Sequence, residues 1–364
     1  MTSVRVISIA CALSLSFGAC SGTDDGGSQG GEASGGAAPG TGGDVTSTGG
    51  APPIGAGGTT VATGGAPDGA GGAAPSGGSD SGGSGGDGSG EWTAGQIPMG
   101  NPPVGSDGCG NPTNITTQEY TISSSGQNRV YYVDMPSNYD PNKPYRLFYT
   151  SHWIGSRWQD VQGQNFYFLK PLIEADGEQA IFVAPSSDGA TWQEKDHALF
   201  DDIMAHLNEN LCFDTTRVFA TGFSFGGMIT YSLSTNHQQQ IRAAVGIAPA
   251  NYNIWLPQKT HDPIAWMHIT GLSDGTCPWV NNEQQQRGAK FIAIEKATDN
   301  GCTVPNDIPV WQNGAHFCYD FEDCNPEHPT RVCTFDGGHT NIDSDPGSSE
   351  NWIPRESWNF FKQF

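Results

Sequence analysis

The chain has 364 residues, and roughly the last 260 have the composition of a folded domain with a full core. Gly, Ser, Ala and Thr dominate the first hundred or so, whereas aromatic and aliphatic residues recur from about Gly108, including all but one of the ten tryptophans. The net charge of −22, with 16 Lys and Arg residues that form no cluster, argues against nucleic acid and anionic membranes as partners. A neutral polymer or a small ester suits this charge better.

Residues 1–19 are predicted to be a signal peptide. After Arg5 an apolar run of about twelve residues ends at Phe17, which is too short to span a bilayer. The small pair Gly18-Ala19 directly before Cys20 resembles a bacterial lipobox, with Phe17 in place of the usual leucine. We therefore expect Cys20 to be lipidated in an extracellular or cell-surface bacterial lipoprotein, with simple secretion as the alternative.

Residues 20–99 are predicted to be a lipidated cysteine followed by a linker. The tract is rich in Gly, Ser, Ala and Thr, with scattered Asp and Pro. Such a composition buries too little apolar surface to offset the entropy of ordering, so we expect disorder. The linker would hold a folded domain away from a membrane that the protein touches only through its lipid anchor, or would be a tolerated spacer.

Residues 100–364 are predicted to form one α/β domain. A β-hairpin between Gln118 and Met135 comes first, and strands then alternate with helices, which indicates a mostly parallel, doubly wound sheet. The later predicted strands cover residues 145–150, 179–185, 217–220, 242–249, 264–270 and 330–335. The predicted helices lie around 166–174, 200–211, 228–233 and 283–300, with another from Arg355.

The segment Gly222-Phe223-Ser224-Phe225-Gly226 follows a β-prone run and precedes a potential helix. A serine between a strand and a helix, with glycines two residues to either side, is typical of the nucleophile elbow of an α/β-hydrolase. An ordinary turn in a glycine-rich chain is the alternative. The flanking strand and helix favour the elbow, so Ser224 is predicted to be a nucleophile.

A serine nucleophile needs a histidine base and an acid that orients the base. In α/β-hydrolases the acid and then the histidine follow the serine along the chain. Three of the nine histidines lie late enough, and of these only His339 follows a convincing strand, through the Asp336-Gly337-Gly338 turn. Asp274 lies in the loop directly after the strand at 264–270, whereas Asp262 lies at its start. We therefore predict His339 as the base and Asp274 as the acid.

An oxyanion hole needs two backbone N–H groups. We expect one from Phe225, which follows the nucleophile, and one from Trp153 or Ile154 in the loop after an earlier strand. His152 is expected to shape this loop. Trp192 and Trp279 are candidates for stacking on substrate, with a place in the core as the equal alternative.

Seven cysteines follow Cys20, and an exported chain would join them in disulfides. Sequence alone leaves the connectivity open. Candidate pairs are Cys109–Cys212, Cys302–Cys333 and Cys318–Cys324, which would leave Cys277 free. No spacing indicates a metal site, and no cofactor is expected.

Several segments resemble the secreted feruloyl esterases, grouped with acetylxylan esterases and polyhydroxybutyrate-depolymerase-like enzymes in carbohydrate esterase family 1. They include residues 138–140, 143–145, 210–227, 333–340 and 358–361. The resemblance covers Cys109 to Phe364 and implies the same triad, Ser224, Asp274 and His339. This chain has His152-Trp153 where the family often has His-Gly, and residues 190–193 replace a common Gly-Trp-x-Asn stretch.

The resemblance implies a serine carboxylesterase that acts on plant cell-wall polysaccharide esters, feruloylated arabinoxylan above all. Polyhydroxybutyrate depolymerisation or xylan deacetylation by the same triad is the alternative within enzymes. A non-catalytic lipoprotein that binds polysaccharide on a degenerate hydrolase fold is the alternative of another class. The sequence does not indicate an oligomeric state.

Overall fold

The computed structural model describes residues 98–364. The predicted signal peptide, the lipidation site Cys20 and nearly all of the predicted linker lie outside the described residues. Among the helices between residues 98 and 364, none combines the length and the apolar character needed to cross a bilayer.

Within residues 98–364, nine strands and six helices alternate after an initial hairpin. The strands are β1 (Gln118–Ser124), β2 (Gln127–Asp134), β3 (Tyr145–Ser151), β4 (Ala180–Pro185), β5 (Phe213–Phe223), β6 (Ala243–Ile247), β7 (Ala265–Gly271), β8 (Phe317–Asp320) and β9 (Thr330–Phe335). The helices are α1 (Trp158–Gly163), α2 (Leu169–Ala175), α3 (Lys195–Asn210), α4 (Phe225–Leu233), α5 (Ala289–Asp299) and α6 (Trp352–Phe361).

All nine strands of the described part join one sheet in the order β1-β2-β4-β3-β5-β6-β7-β9-β8. The strands from β4 to β9 in this order pair in parallel, whereas β1, β2 and β8 are antiparallel to their neighbours. This arrangement is the α/β-hydrolase fold, so the predicted fold class is confirmed. Because the parallel strands point the same way, their carboxyl ends meet at one edge, where ligands of such sheets bind.

Helices cover both faces of the sheet. Alternate residues of a strand point to opposite faces, so Tyr149 of β3 packs in the apolar layer that holds Phe200 of α3 and residues of α4. Its neighbour Phe148 packs in the opposite layer, which holds Ile173 of α2 and Trp358 of α6. Strands β3 to β7 are therefore buried on both sides, which explains their continuous apolar runs and the ease of predicting them.

Three disulfides lie within the described residues, and two of the candidate pairings are wrong. Cys109 is joined to Cys212, but Cys302 is joined to Cys324 and Cys318 to Cys333. The physical reason is strand β8, which the sequence analysis did not predict: its antiparallel register with β9 places Cys318 directly opposite Cys333. An isolated bridge between residues 303 and 322 brings the other pair together. Cys277 is a free, buried thiol.

Candidate active site

Ser224 occupies the sharp turn between β5 and α4, with φ 57° and ψ −120°. A serine in this strained conformation is held by its surroundings. A Cβ atom on Gly222 would lie 2.4 Å from the Gly226 backbone, and one on Gly226 would lie 2.0 Å from the Ser151 carbonyl oxygen. Since neither clash can be relieved by moving a flexible side chain, both glycines are required, and the turn has the form of a nucleophile elbow.

The three residues predicted as a triad lie together at the carboxyl edge of the sheet. His339 Nε2 is 2.7 Å from Ser224 Oγ. His339 Nδ1 is 2.7 Å from Asp274 Oδ2. Ser224 follows β5, Asp274 follows β7 and His339 follows β9, so three loops from nearby strand ends converge here. The serine, the imidazole and the carboxylate thus form one hydrogen-bonded chain of the kind that activates a serine.

Asp274 is fixed from both sides. Its Oδ1 accepts the N–H groups of Thr276 at 2.7 Å and Cys277 at 2.8 Å, while Oδ2 faces His339. Burial by itself raises the pKa of Asp274, but the hydrogen bonds from His339 and from the two backbone N–H groups outweigh it, so the pKa lies below its usual range. The carboxylate is therefore ionised at neutral pH and selects the Nδ1–H tautomer of the imidazole.

The backbone N–H groups expected to form an oxyanion hole lie at the start of α4 and in the loop after β3. Phe225 is the first residue of α4, so its N–H has no acceptor within the helix. In the loop after β3, the N–H groups of Gly155 and Ser156 donate to Ala190 and Trp153 carbonyls. Within residues 98–364, the N–H groups of Trp153 and Ile154 have no such acceptor and stay available.

His152 and Trp192 hold this loop in place. The Trp192 indole N–H donates to the His152 carbonyl oxygen at 2.8 Å, and His152 Nε2 accepts the Ser187 N–H at 3.0 Å. His152 Nδ1 then donates to the Trp153 carbonyl oxygen at 2.7 Å. Burial lowers the pKa of His152 to about 4, so the ring is neutral at neutral pH, as this tautomer requires.

Trp192 takes the place in the core that was the equal alternative to stacking on substrate. Its side chain is only 3 % exposed and packs in the core beneath the loop. The indole N–H is used inside the protein, on the His152 carbonyl oxygen. Trp279 is half-buried and packs against the small apolar cluster that contains Ala293 and Phe321.

Tyr167, which no sequence motif indicates, has its hydroxyl between the ends of β3 and β5. It donates to the Ser151 carbonyl oxygen at 2.5 Å. Burial raises the pKa of Tyr167, and a hydrogen bond from the Phe223 backbone partly offsets this rise. The hydroxyl thereby ties the end of β3, which leads into the loop of Trp153 and Ile154, to the residue before Ser224.

Tyr167 reaches this position through an unusual backbone. Residues 165–168 all have positive φ, between 50° and 61°, a short left-handed turn between α1 and α2. Each such residue costs about 1 kcal/mol or more, so the packing around the turn must hold it. The turn follows Gln164, whose Oε1 accepts the Asn341 amide at 2.8 Å, close to His339. No sequence signal indicates four consecutive left-handed residues.

Potential metal ligands are few in the described part of the chain. The ligand atoms of Cys318, Cys333 and Glu356 lie close together, but the two sulfurs are joined in a disulfide and are not thiolates. This group lies on β8, β9 and α6, away from Ser224, and the hydrogen-bonded triad needs no metal to activate its nucleophile.

Curated relatives of the chain include several feruloyl esterases. It is 31 % identical over 273 residues to feruloyl esterase D of Neurospora crassa, which covers 71 % of this chain and 90 % of that protein. It is 32 % identical over 265 residues to feruloyl esterase C of Emericella nidulans, covering 70 % and 90 %. No protein-family model matches the chain.

Solved structures with a similar backbone include two esterases. One is a mutant of the feruloyl esterase module from Clostridium thermocellum complexed with sinapinate, with TM-score 0.46 and 14 % identity, covering 72 % of this chain and 93 % of that one. Another is the acetyl xylan esterase from Aspergillus awamori, with TM-score 0.47 and 13 % identity, covering 68 % and 100 %.

Proposed function

This chain belongs to the feruloyl esterase family, and from that premise we propose that Ser224, His339 and Asp274 hydrolyse feruloyl esters of plant cell-wall polysaccharide. The observation that carries the proposal is the hydrogen-bonded chain from Ser224 Oγ through His339 to Asp274. Feruloylated arabinoxylan is the proposed substrate. No cofactor takes part in the proposed reaction.

Acylation begins when Ser224 Oγ attacks the ester carbonyl carbon and His339 Nε2 takes the hydroxyl proton. The 2.7 Å contact between these atoms lets the proton move along an existing hydrogen bond. Asp274 stabilises the imidazolium that forms and keeps its orientation. The negative charge on the carbonyl oxygen is met by the N–H of Phe225 and by the N–H of Trp153 or Ile154.

The tetrahedral intermediate then collapses. The bond to the sugar oxygen breaks, and His339 returns its proton to that oxygen, so the sugar alcohol leaves and the feruloyl group stays on Ser224. Water attacks the acyl-enzyme in the reverse sense, with His339 as base. Ferulate leaves, and the serine is restored.

Apolar side chains around the nucleophile support an aromatic acyl group. Ile154 is 56 % exposed in the loop after β3, residues 152–156, which we call the oxyanion loop; Ile342 is 51 % exposed three residues after the base. The Phe223 ring packs on His339, with centroids 4.9 Å apart. Since large exposed apolar side chains on the loops after β3 and after β9 are suited to an apolar ligand, we assign this side of the site to the phenyl ring.

Substrate comparison tests the proposed ester. Residues 98–364 are incubated with methyl ferulate, acetylated xylan and polyhydroxybutyrate, and ferulate, acetate and hydroxybutyrate are quantified. We expect hydrolysis of methyl ferulate to be the most efficient; a preference for acetylxylan or polyhydroxybutyrate would assign the same triad to another ester. Labelling of Ser224 by a fluorophosphonate tests for catalysis itself, and an unlabelled serine would favour a non-catalytic polysaccharide-binding protein.

For the rest of the chain we propose export and a lipid anchor at Cys20. The three disulfides within residues 98–364 fit an oxidising compartment. Residues 20–99 would then tether the esterase to a bacterial cell surface. Labelling of cells with a palmitate analogue tests this: we expect labelled wild-type protein and unlabelled Cys20→Ala, and equal absence of label in both would indicate simple secretion.

A further inference from the structure

A groove of about 810 Å³ opens beside the oxyanion loop. Its walls come from the hairpin β1–β2, from the loop after β4 and from residues 155–159. Its lining is mainly polar, with one tryptophan. The proposed reaction does not use this groove, and an ester on a polymer has a sugar chain that must lie somewhere near the triad.

The groove is built onto the catalytic edge of the sheet. The Gly155 N–H donates to the Ala190 carbonyl oxygen at 2.9 Å, and the Ser187 N–H donates to His152 at 3.0 Å. One side of the oxyanion loop therefore belongs to the groove wall. In the sheet, β4 lies two strands from β5, which is about 10 Å at the usual strand spacing. By this spacing, a sugar chain of a few residues that is esterified at Ser224 is long enough to extend into the groove.

Trp158 supplies an aromatic wall that is held rigidly. One face of its indole stacks on the Tyr132 ring, with centroids 4.5 Å apart and planes 8° from parallel. The indole N–H donates to Glu119 Oε2 at 2.7 Å. The side chain remains half-exposed and borders the groove. A fixed aromatic surface beside polar groups is suited to a sugar, whose C–H groups pack on the ring while its hydroxyls bind the polar groups.

Two arginines line the same groove. Arg129 donates through Nη2 to Ser186 and Asp196, but its buried Nη1 has no partner among residues 98–364. Arg157 is exposed, and within those residues no carboxylate pairs with it. The acidic residues of the groove are engaged, since Glu119 binds Trp158 and Asp188 pairs with a lysine. The exposed Arg157 thus offers donors to ligand hydroxyl groups, and the engaged acidic residues leave the groove without a strong net charge, as suits a neutral sugar.

We propose that this groove binds the neutral sugar chain that carries the ester, with Trp158 as its stacking residue. The inference rests on the proposed function, because the sugar in the groove is the alcohol part of the ester that Ser224 would hydrolyse. The acyl group lies against Ile154 and Ile342, and the sugar chain continues past the oxyanion loop toward β1 and β2. The groove then distinguishes feruloylated oligosaccharides from small ferulate esters.

The test compares Trp158→Ala with wild type on methyl ferulate and on a feruloylated arabinoxylo-oligosaccharide. We expect kcat/KM for the oligosaccharide to fall about tenfold, mainly through KM, relative to any change on methyl ferulate, because a stacked ring contributes at most about that factor. Trp311→Ala is the matched control. This half-buried tryptophan lies beside Thr334 of β9, near the end of the strand order opposite to β1 and β2. It should change neither value.

Equal losses on both substrates, or no loss on the oligosaccharide, would overturn the proposal. A second measurement separates it from the proposed function: calorimetric titration of Ser224→Ala with the same oligosaccharide lacking ferulate, with and without Trp158→Ala. Sugar binding that depends on Trp158 supports the groove even if wild type hydrolyses no feruloyl ester. Undetectable binding by Ser224→Ala at millimolar sugar contradicts it, even if feruloyl esters are hydrolysed.

Discussion

Replacing Asp274 by Asn should change the tautomer of His339 while leaving the shape of the site nearly intact. In the native site Oδ1 accepts two backbone N–H groups, from Thr276 and Cys277. An asparagine must keep its carbonyl oxygen toward those donors, so its NH₂ group points at His339 Nδ1. The imidazole then accepts at Nδ1 and carries its proton on Nε2, where it can no longer take the proton of Ser224.

The expected loss in kcat is on the order of 10⁴, the scale known for a triad held in the wrong tautomer. This corresponds to about 5 kcal/mol of transition-state stabilisation. KM should change little, because Asp274 is 3 % exposed and does not reach the substrate. Steady-state hydrolysis of methyl ferulate gives both constants, and circular dichroism on heating checks that the variant is folded.

The matched control is Asp262→Asn. Asp262 lies three residues before β7, at the amino-terminal edge of the parallel strands and so opposite to the edge that carries Ser224. Its kcat should stay within about twofold of wild type, as is usual for surface substitutions. A folded Asp274→Asn enzyme that loses less than tenfold in kcat would refute the tautomer argument and the role of this carboxylate.

Two further predictions concern positioning and acid stability. Tyr167→Phe removes the hydroxyl that lies between β3 and β5. Because a small misplacement of catalytic groups is costly, we expect kcat to fall about 10- to 100-fold with KM little changed. A loss confined to stability would contradict this. Burial lowers the pKa of His152 and of His197 to about 4, and the pKa of His268 to about 3. Because the unfolded chain binds these protons below about pH 6.5 and the folded chain does not, each should remove up to about 1.4 kcal/mol of stability per pH unit between pH 6.5 and 4. Urea midpoints measured from pH 7 to 4 check this, and a flat profile would contradict it.

The fold and the triad were largely predictable because their signals are local or follow a fixed order. The doubly buried strands are continuous apolar runs. The glycines on either side of Ser224 are required because a Cβ on Gly222 or Gly226 would lie 2.0–2.4 Å from backbone atoms. The rule that ligands lie at the carboxyl ends of parallel strands then reduced the choice of base and acid to His339 and Asp274. The structure places both within one hydrogen-bonded chain with the serine.

Other features depend on contacts that no local pattern records. Strand β8 is short and largely exposed, so it lacks an apolar run, and without it the pairing of Cys318 could not be inferred. Trp192 was a candidate for stacking on ligand because its burial depends on a loop distant in sequence, whose His152 carbonyl oxygen accepts the indole N–H. Tyr167 was missed because a left-handed turn of four residues aims it. In each case the position is set by residues distant in sequence.

Whether Ser224 is the nucleophile is tested by the rate of methyl ferulate hydrolysis by Ser224→Ala, measured on folded protein of confirmed mass. We expect a loss in kcat on the order of 10⁶, because the only group bonded to His339 Nε2 in the described part of the chain is the Ser224 hydroxyl. Activity within tenfold of wild type would contradict it and would require another nucleophile.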